Sequence, residues 1–573
     1  MWGAIMAKPI KLNLPSGQYT ASRHNGVSTL NDDGKKTSVC SHIDFKANLE
    51  NDRTGKVNVL VDFIDHQGKT KQVGIPREDF SNLGRLTERL LSLGFCIHDQ
   101  KLAKTFLSES YQINPPTLNI RVVNEPGWHE SGRGDKKVYA INGKTFAPEG
   151  EIHNIILDEG ISAGFSSKGS NEEWQQNVGE FCKGNSRLTI LVCASLLGPL
   201  LELLGIQNVG LHIFGLSKSA KTTCLIIARS IYGDQHFSFS WNATTGALQE
   251  IASSRNHSAL FLDEISQCEE KHVSAAVYSL MNGVNKNRLT PNCKLNTVRH
   301  TRLVVISTGE YSLQEHLQQG GIKVKPGQLV RMPSIPVHPT NGMFSNRHGE
   351  ETIGALASKL RASVDENYGT IGLTWIQHLV DKQLKLKSTL PARMKEIQST
   401  LLESINVDEP SEAQRDVAKS MAAIACAGEV AINCGLMPWP QRAPIKAATC
   451  CYKAWYRHDS GEAIKREPFP TIKKFFSDNQ GGFSHLDKFT KDGNTSVYTH
   501  HADGIDVFLV PLKKSSETIF KMFGEKDVLS ELDKRDLLVR GCNNRPTKQV
   551  KIPMSKLPRQ SFYVIRSSIL ATK

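Results

Sequence analysis

One segment of the chain, residues 211–233, constrains the fold more than any other. Residues 211–214 have the pattern of a short buried strand, and the helix after them places Cys224, Ile227 and Ala228 on one face before it stops at Gly233. Two further apolar strands are predicted at residues 259–262 and 303–306, with helical sequence between them. This alternation from about residue 185 to 345 predicts a parallel sheet covered by helices.

The rest of the chain divides into three regions of different pattern. Residues 1–180 are predicted to form a β-rich domain with some helix. Within it, residues 57–63 alternate between apolar and polar, and His66, Gln67 and Gly68 offer a turn into a second strand that ends near Pro76. Residues 346–456 are mainly helical, and residues 457–573 are short mixed elements with a basic end. With the region at 185–345, these patterns predict four domains.

The charge balance of the chain is strongly basic. Seventy basic and 57 acidic residues leave a formal charge of +13, which favours a polyanionic partner over a neutral one. Residues 545–573 contain basic residues but no acidic residue. A solvated basic surface without any partner is the alternative.

Cysteine spacing and hydropathy exclude several other classes of protein. The twelve cysteines are scattered without a Cys-x-x-Cys pair, which predicts free thiols in a reducing compartment. Polar and helix-breaking residues, such as Ser195 and Pro199, interrupt the longest apolar run, residues 188–204. We therefore predict a buried helix there, no membrane partner and, because the N-terminus lacks a secretory signal, a cytoplasmic protein.

The segment between the first strand and its helix has the pattern of a phosphate-binding loop. Its backbone amides can face phosphates, Lys221 can pair with the β and γ groups, and the Thr222 hydroxyl can ligate magnesium. Ala220 departs from the common pattern, which has glycine at this position. The residues predicted to bind the nucleotide are Gly215, Leu216, Ser217, Lys218, Ser219, Ala220, Lys221, Thr222 and Thr223.

A pair of carboxylates at the end of the second strand supports the same chemistry. Residues 259–262 are followed directly by Asp263 and Glu264. Asp263 is predicted to hold a hydrated magnesium ion and Glu264 to orient the attacking water, because phosphoryl transfer depends on positioning and charge neutralisation. A strand whose end is acidic by chance is the alternative. Together the two motifs predict an ATPase that uses ATP and Mg²⁺.

Two hydroxyl residues follow the third predicted strand. AAA+ enzymes place a polar sensor of the γ-phosphate here, and Thr308 is the first choice for it, with Ser307 second. A surface serine–threonine turn is the alternative.

Basic residues on either side of this strand are candidates for contacts with partners. Residues 287–299 are predicted to form a hairpin of the kind that ring motors project toward their channel, so Lys294 and Arg288 are candidate DNA contacts. Arg331 comes where an arginine at a subunit edge can reach the neighbouring subunit's nucleotide. An ordinary surface hairpin and a structural salt bridge are the alternatives.

The order of these motifs resembles the bacterial and phage family known as domain-of-unknown-function 927. The likeness rests on residues 215–223, 240–244, 262–264, 277–283, 307–310 and 327–331, and extends in outline over about residues 25–460. Members look like AAA+ ATPases of phages and other mobile elements, and some resemble the minichromosome maintenance (MCM) replicative helicases. The resemblance implies an α/β P-loop (AAA+) core, a β-rich α+β N-terminal domain, a helical lid and a C-terminal winged helix.

The likeness to MCM helicases carries over to individual positions. Those helicases also have alanine before the P-loop lysine, which makes Ala220 a family feature. A helical lid implies an arginine that reaches the γ-phosphate; Arg415 is the candidate, Arg393 lies in similar surroundings, and a helix-surface position is the alternative. Residues 527–539, 548–552 and 562–565 correspond to a helix and strands of a winged helix. The zinc-binding cysteines of many MCM N-terminal domains have no counterpart here.

The leading functional prediction is an ATP-driven DNA helicase or translocase that serves replication of a phage or mobile element in the bacterial cytoplasm. An arginine supplied in trans needs a neighbouring subunit, so we expect the chains to form a ring, in particular a hexamer. The ring is expected to bind a single strand or a fork of DNA. One alternative is an ATP-switched initiator or loader that binds DNA. Another is a defence or remodelling ATPase that acts on protein.

Overall fold

The computed structural model describes residues 9–571 apart from 32, 133–134, 142, 152, 159, 161–163, 284–299, 323, 460–467, 491–494, 503, 519–524, 554 and 556. The chain forms two compact units, Met1–Tyr456 and Arg457–Lys573. The helices of the described residues are α1 Leu83–Ser92, α2 Gln100–Ile113, α3 Asn171–Asn177, α4 Ser186–Leu204, α5 Lys221–Arg229, α6 Thr245–Ser253, α7 Glu270–Asn282, α8 Leu313–Gln319, α9 Pro326–Arg331, α10 Ile353–Glu366, α11 Thr370–Glu403, α12 Glu412–Asn433, α13 Ala443–Asp459, α14 Pro468–Asn479 and α15 Glu525–Lys534.

Strands occur in both units. They are β1 Ile10–Leu14, β2 Gly17–Ser22, β3 Gly26–Leu30, β4 Lys36–Cys40, β5 Ile43–Asn51, β6 Val57–Ile64, β7 Thr70–Pro76, β8 Asn119–Val123, β9 Gly127–Glu130, β10 Lys137–Ile141, β11 Lys144–Phe146, β12 Ile155–Leu157, β13 Val209–Phe214, β14 Ser238–Ser240, β15 Ala259–Asp263, β16 Val304–Gly309, β17 Ser334–Pro336, β18 Ser484–His485, β19 Tyr498–Ala502, β20 Ile505–Pro511, β21 Leu538–Val539, β22 Lys548–Val550 and β23 Gln560–Arg566.

The N-terminal part of the first unit is rich in strands, as its alternating sequence predicts. Strands β1 to β4 form an antiparallel meander, and a mixed sheet has the order β12-β8-β5-β6-β7. The predicted pair at residues 57–76 is confirmed, because β6 and β7 are antiparallel. Val59, Val61 and Phe63 point from β6 into a core that also contains Leu86 of α1 and Phe106 of α2.

A parallel sheet forms the centre of the first unit, which confirms the prediction for residues 185–345. Its strand order is β14-β15-β16-β13-β17, and each neighbouring pair is parallel. Strand β16 therefore lies between β13, which leads into the phosphate loop, and β15, which ends in Asp263. Because the carboxyl ends of parallel strands share one edge, the loops after these strands meet there.

Helix α4 is the central helix of the unit. Its length and composition would allow it to cross a membrane, but 89% of its apolar window is buried inside the fold. This confirms the predicted buried helix. Helices α11 and α12 pack against it, and a Cβ atom added at Gly428 of α12 would lie 2.5 Å from the Cys193 sulfur of α4. The absence of a side chain at Gly428 therefore permits the close approach of these two helices.

The second unit combines helices α14 and α15 with a mixed sheet in which β18, β19, β20, β23 and β21 lie side by side and β22 pairs with β23. The helix predicted at residues 527–539 is wrong at its C-terminal end. Helix α15 stops at Lys534, Asp536 has a positive φ of 52°, and residues 538–539 form strand β21. A left-handed residue cannot continue a right-handed helix, which explains the earlier end.

Candidate nucleotide site

The loop between β13 and α5 wraps around the side chain of Lys221. This lysine is the first residue of α5 and is only 7% exposed. Its Nζ donates to the carbonyl oxygens of Gly215 at 2.8 Å and Leu216 at 3.0 Å. Burial lowers the pKa of Lys221, while the nearby carboxylates of Glu264, Glu310 and Asp263 act in the opposite direction. The loop therefore holds a buried cation close to acidic side chains.

Left-handed backbone conformations shape this loop. Lys218 has a φ of 65° and Ala220 a φ of 67°, and Gly215 has a φ of 154°. A Cβ atom at Gly215 would lie 2.2 Å from Val337 Cγ2, so only glycine fits there. The conformation of Ala220 also explains why glycine is common at its position, since a left-handed residue with a Cβ atom costs about 1–2 kcal/mol.

A turn after strand β17 braces the loop from outside. The backbone N–H of Met343 donates to the Ser219 carbonyl at 3.0 Å, and a Cβ atom at Gly342 would lie 2.6 Å from that same oxygen. Gly342 also has a positive φ of 54°. This support has no signal in the sequence, because residues 338–344 carry no motif and only the pairing of β17 with β13 brings them to the loop.

Asp263 lies at the carboxyl edge of the sheet, where two threonine hydroxyls contact it. The Thr222 hydroxyl donates to Asp263 Oδ1 at 3.3 Å, and the buried Thr308 hydroxyl donates to the same oxygen. A carboxylate beside a threonine hydroxyl is the kind of oxygen donor set that Mg²⁺ takes in phosphate sites. The residues present therefore fit the ion that the sequence predicts.

Glu264 follows Asp263 in a strained conformation. Its φ is 53°, and its backbone N–H donates to Thr308 Oγ1 at 3.2 Å. The Ser266 hydroxyl donates to its carboxylate. A left-handed glutamate of this kind is uncommon outside sites where the surrounding structure holds it in place. Thr308 therefore links the two acidic residues.

Ser307 lies on the opposite side of strand β16 from this cluster. The indole N–H of Trp241 donates to Ser307 Oγ at 2.9 Å, and Ser307 Oγ lies 2.9 Å from His212 Nδ1. His212 Nε2 donates to the Tyr311 carbonyl, so Nδ1 of the neutral ring accepts from Ser307. Burial lowers the pKa of His212 to about 4. Both hydroxyl residues are buried in the strand, so the surface turn considered as an alternative does not form.

Glu310 is a site residue that the sequence analysis did not single out. The Ser217 hydroxyl of the phosphate loop donates to its carboxylate, and Glu310 lies close enough to Lys221 to influence the lysine's pKa. Its signal was its place directly after strand β16, in the Ser-Thr-Gly-Glu segment already used for the resemblance.

The structure places the candidate arginines in different surroundings. Arg331 ends helix α9, is exposed and donates to the Asn282 side chain. Arg393 pairs with Glu396 and Glu429. Arg415 is exposed in the first turn of α12, and no contact recorded among the described residues joins it to the phosphate loop.

An arginine of a different helix contacts α5, the helix that follows the loop. Arg361 of α10 donates from Nε to Thr223 Oγ1 at 2.9 Å. Thr223 is buried and follows Thr222 directly in α5. Arg361 has no signal in the sequence, because its helix carries no motif that separates it from other basic surface positions. The candidate DNA contacts Arg288 and Lys294 lie outside the described residues.

Comparisons with known proteins agree with part of this picture. Residues 20–300 match the family described as "Domain of unknown function (DUF927)". The match is shorter than the predicted likeness over about residues 25–460, and the motifs at 307–310 and 327–331 lie beyond it.

A solved structure described as "SCCmec type IV Cch - active helicase" is similar in fold. It has a TM-score of 0.59 at 17% sequence identity, over 97% of this chain and 99% of that one. No curated protein matches the sequence. The chain therefore shares its fold with a helicase of that description, and its matching region carries the DUF927 pattern.

Proposed function

We propose that the protein is an ATP-driven DNA helicase or translocase with a P-loop core of the AAA+ type, similar to MCM helicases. The observation that supports this most is the convergence of Lys221, Thr222, Asp263 and Thr308 at one edge of the parallel sheet. Lys221 and Thr222 begin helix α5, whereas Asp263 and Thr308 lie on strands β15 and β16. Each of the four has the chemistry that phosphoryl transfer needs.

The phosphates of ATP would occupy the loop around Lys221. The lysine would exchange its contacts to the carbonyls of Gly215 and Leu216 for the phosphates, and the loop amides would donate to them. Thr222 and Asp263 would hold Mg²⁺, which neutralises charge on the phosphates when bound.

Glu264 is the residue best placed to orient the attacking water. Its backbone is tied to Thr308, which in turn is tied to Asp263, so the three side chains can respond together to the γ-phosphate. Arg361 takes the place proposed earlier for Arg415 as an arginine from the helical region that contacts the phosphate-loop helix. Arg331 remains the candidate for an arginine supplied to a neighbouring subunit.

The proposal of DNA as the substrate rests on charge and on the fold comparison. The chain carries a formal charge of +13, and its fold is shared with a chain described as a helicase. In the second unit, helix α15 is followed by strands β21 to β23, with β21 and β22 each antiparallel to β23. This order of elements supports a basic winged helix that would bind DNA.

Strand displacement from a labelled fork tests the helicase proposal. We expect ATP-dependent release of the labelled strand by the wild type, and none by Glu264→Gln, because the variant lacks the group that orients water. DNA-stimulated ATP hydrolysis without strand release would contradict the helicase and favour the ATP-switched initiator. DNA binding without steep salt dependence would count against a DNA substrate altogether.

Mixing two inactive variants tests the ring and the role of Arg331. Arg331→Ala and Lys221→Ala should each be inactive alone. In a mixed ring, some interfaces pair an intact Lys221 with an intact Arg331 from the neighbour, so ATP hydrolysis should return in part. If mixing restores nothing although the subunits exchange, Arg331 does not act in trans.

A further inference from the structure

The second unit contains a pocket of about 500 Å³. This volume is in the range of small-molecule sites, about 300–1,000 Å³. One wall is apolar: Phe489 is half-buried, with its ring centroid 5.3 Å from that of Tyr498 and 5.5 Å from that of Phe562. Leu512 lies beside it and is 46% exposed. The pocket thus offers accessible apolar surface that is fixed by packing behind it.

The charged residues among the described lining of this pocket are all cations. Lys513, Lys514 and Arg559 line it, and no acidic residue appears among the described lining residues. Lys513 and Arg559 are exposed, and neither forms a recorded ion pair with a described residue. An anion with an apolar part would therefore meet complementary surface on both sides.

Other arginines of the same unit behave differently. Arg540 pairs with Asp533, Arg535 pairs with Glu531, and an Nη2 of Arg566 lies 3.7 Å from Asp536. These ion pairs neutralise basic charge elsewhere in the unit. Arg559 at the pocket forms no such ion pair with a described residue.

Hydroxyl and amide groups complete the lining. Thr490, Thr495, Gln560 and Ser561 also line the pocket. The Gln560 amide donates to the Pro558 carbonyl at 2.9 Å, and Ser561 Oγ accepts from Gln549 at 2.6 Å. By their chemistry, the Ser561 hydroxyl can also donate a hydrogen bond and the Gln560 side-chain oxygen can accept one. Such groups suit the edge of a nucleobase or a sugar.

We propose that this pocket binds one unpaired nucleotide of single-stranded DNA, with the base against Phe489 and Leu512 and the phosphate at Lys513 and Arg559. This inference rests on the proposed function, which makes DNA the substrate. Stacking of a base on an aromatic side chain next to a basic groove is a sequence-tolerant way to hold a single strand. A free nucleoside phosphate has the same chemistry and is the other source that the experiment must separate.

Binding of a fluorescent dT oligonucleotide to the full chain, without ATP, tests the pocket. Arg559→Glu should weaken binding at least about tenfold, because it replaces a charge-assisted contact by repulsion. Lys551→Glu is the matched control, since Lys551 is exposed on the same unit, lies outside the pocket lining and undergoes the same change of charge. The dissociation constant of Lys551→Glu for the oligonucleotide should be about fivefold or more below that of Arg559→Glu. Equal losses for the two variants would overturn the proposal.

Two further arms identify the ligand. Unlabelled dTMP should compete only at concentrations far above those of the oligonucleotide; competition at equal concentrations would instead assign the pocket to a free nucleotide. An oligonucleotide with 5-iododeoxyuridine should cross-link under ultraviolet light to a peptide that contains Phe489 or Leu512. Cross-links confined to the first unit would contradict the pocket as a DNA site.

The wild type separates failure of this inference from failure of the proposed function. If single-stranded DNA stimulates ATP hydrolysis while Arg559→Glu and Lys551→Glu bind DNA alike, the pocket is wrong and the proposed function stands. If DNA neither binds to the wild type nor stimulates its ATP hydrolysis, the proposed function fails and the pocket proposal fails with it.

Discussion

The carboxyl edge of the parallel sheet and the pocket of the second unit differ in how their charges are arranged. At the sheet edge, buried Lys221 lies near three carboxylates, those of Asp263, Glu264 and Glu310. In the pocket, the charged side chains among the described lining residues are cations only. Mixed charges suit a site where charge is redistributed during a reaction, whereas cations alone suit a partner whose negative charge is permanent.

The two regions also differ in how firmly the surrounding structure holds their residues in place. The phosphate loop has left-handed residues, a buried lysine and an outer brace from Met343, so its shape is strongly determined. Two of the pocket cations, Lys513 and Arg559, are exposed side chains. Substitution at the sheet edge should therefore abolish a reaction, while substitution at the pocket should only weaken an affinity.

The largest expected effect is that of Lys221→Ala. ATP hydrolysis should fall at least about 1,000-fold, because no other cation of the loop reaches the same position. DNA binding without nucleotide should be retained, since the pocket does not contain this lysine. Lys271→Ala, an exposed lysine on α7, is the control and should hydrolyse ATP like the wild type. If Lys221→Ala fails to bind DNA without nucleotide, the sheet edge and the pocket do not have the separate roles proposed for them.

A smaller effect concerns how the stability of the first unit depends on pH. His212 is buried with a folded pKa of about 4, while an unfolded histidine has a pKa of about 6.5. The unfolded state therefore binds the extra proton between these values, and stability present above pH 6.5 is lost as pH falls toward 4. Protonation of this one residue should make the free energy of unfolding about 2 kcal/mol smaller at pH 5 than at pH 7.

Tryptophan fluorescence can follow this effect, because every tryptophan lies within residues 1–456. Urea unfolding at pH 7 and pH 5 should show a smaller loss of stability in His212→Gln than in the wild type. The exposed His24 provides the control, and His24→Gln should keep the full pH dependence. If His212→Gln keeps the pH dependence of the wild type, the His212 ring does not account for it, and its assignment as a buried neutral imidazole is wrong.

The smallest expected effect is that of Ala220→Gly. Glycine removes the cost of the left-handed conformation but loses the contact of the Ala220 methyl group with the core, and it gains freedom in the unfolded chain. The free energy of unfolding should change by less than about 1 kcal/mol. A loss of more than that in urea unfolding would show that packing of the methyl group, and not backbone strain, dominates at this position.

Local patterns predicted much of the fold and of the candidate site. The strand, loop and helix around Lys221 and the strand before Asp263 have short-range signals, and the structure places these elements as expected. The choice between Ser307 and Thr308 had no such signal. Strand β16 is buried on both faces, so its sequence lacks the alternation that would show which hydroxyl faces Asp263.

Long-range packing explains the other differences. Arg361 reaches Thr223 because α10 packs against α5, and no pattern within α10 indicates that contact. Arg415 and Arg393 looked equally suitable in sequence, yet Arg393 is paired with Glu429 on a neighbouring helix. Contacts between distant segments decide these positions, and they depend on the arrangement of the helices in space.

The most direct test of the central claim is a paired measurement on Glu264→Gln. We expect this variant to bind ATP with an affinity close to that of the wild type, because Lys221 and the loop are unchanged, and to lose ATP hydrolysis at least about 100-fold, because the amide cannot activate water. Hydrolysis at the wild-type rate, with ATP binding intact, would contradict the assignment of this edge of the sheet as the catalytic site.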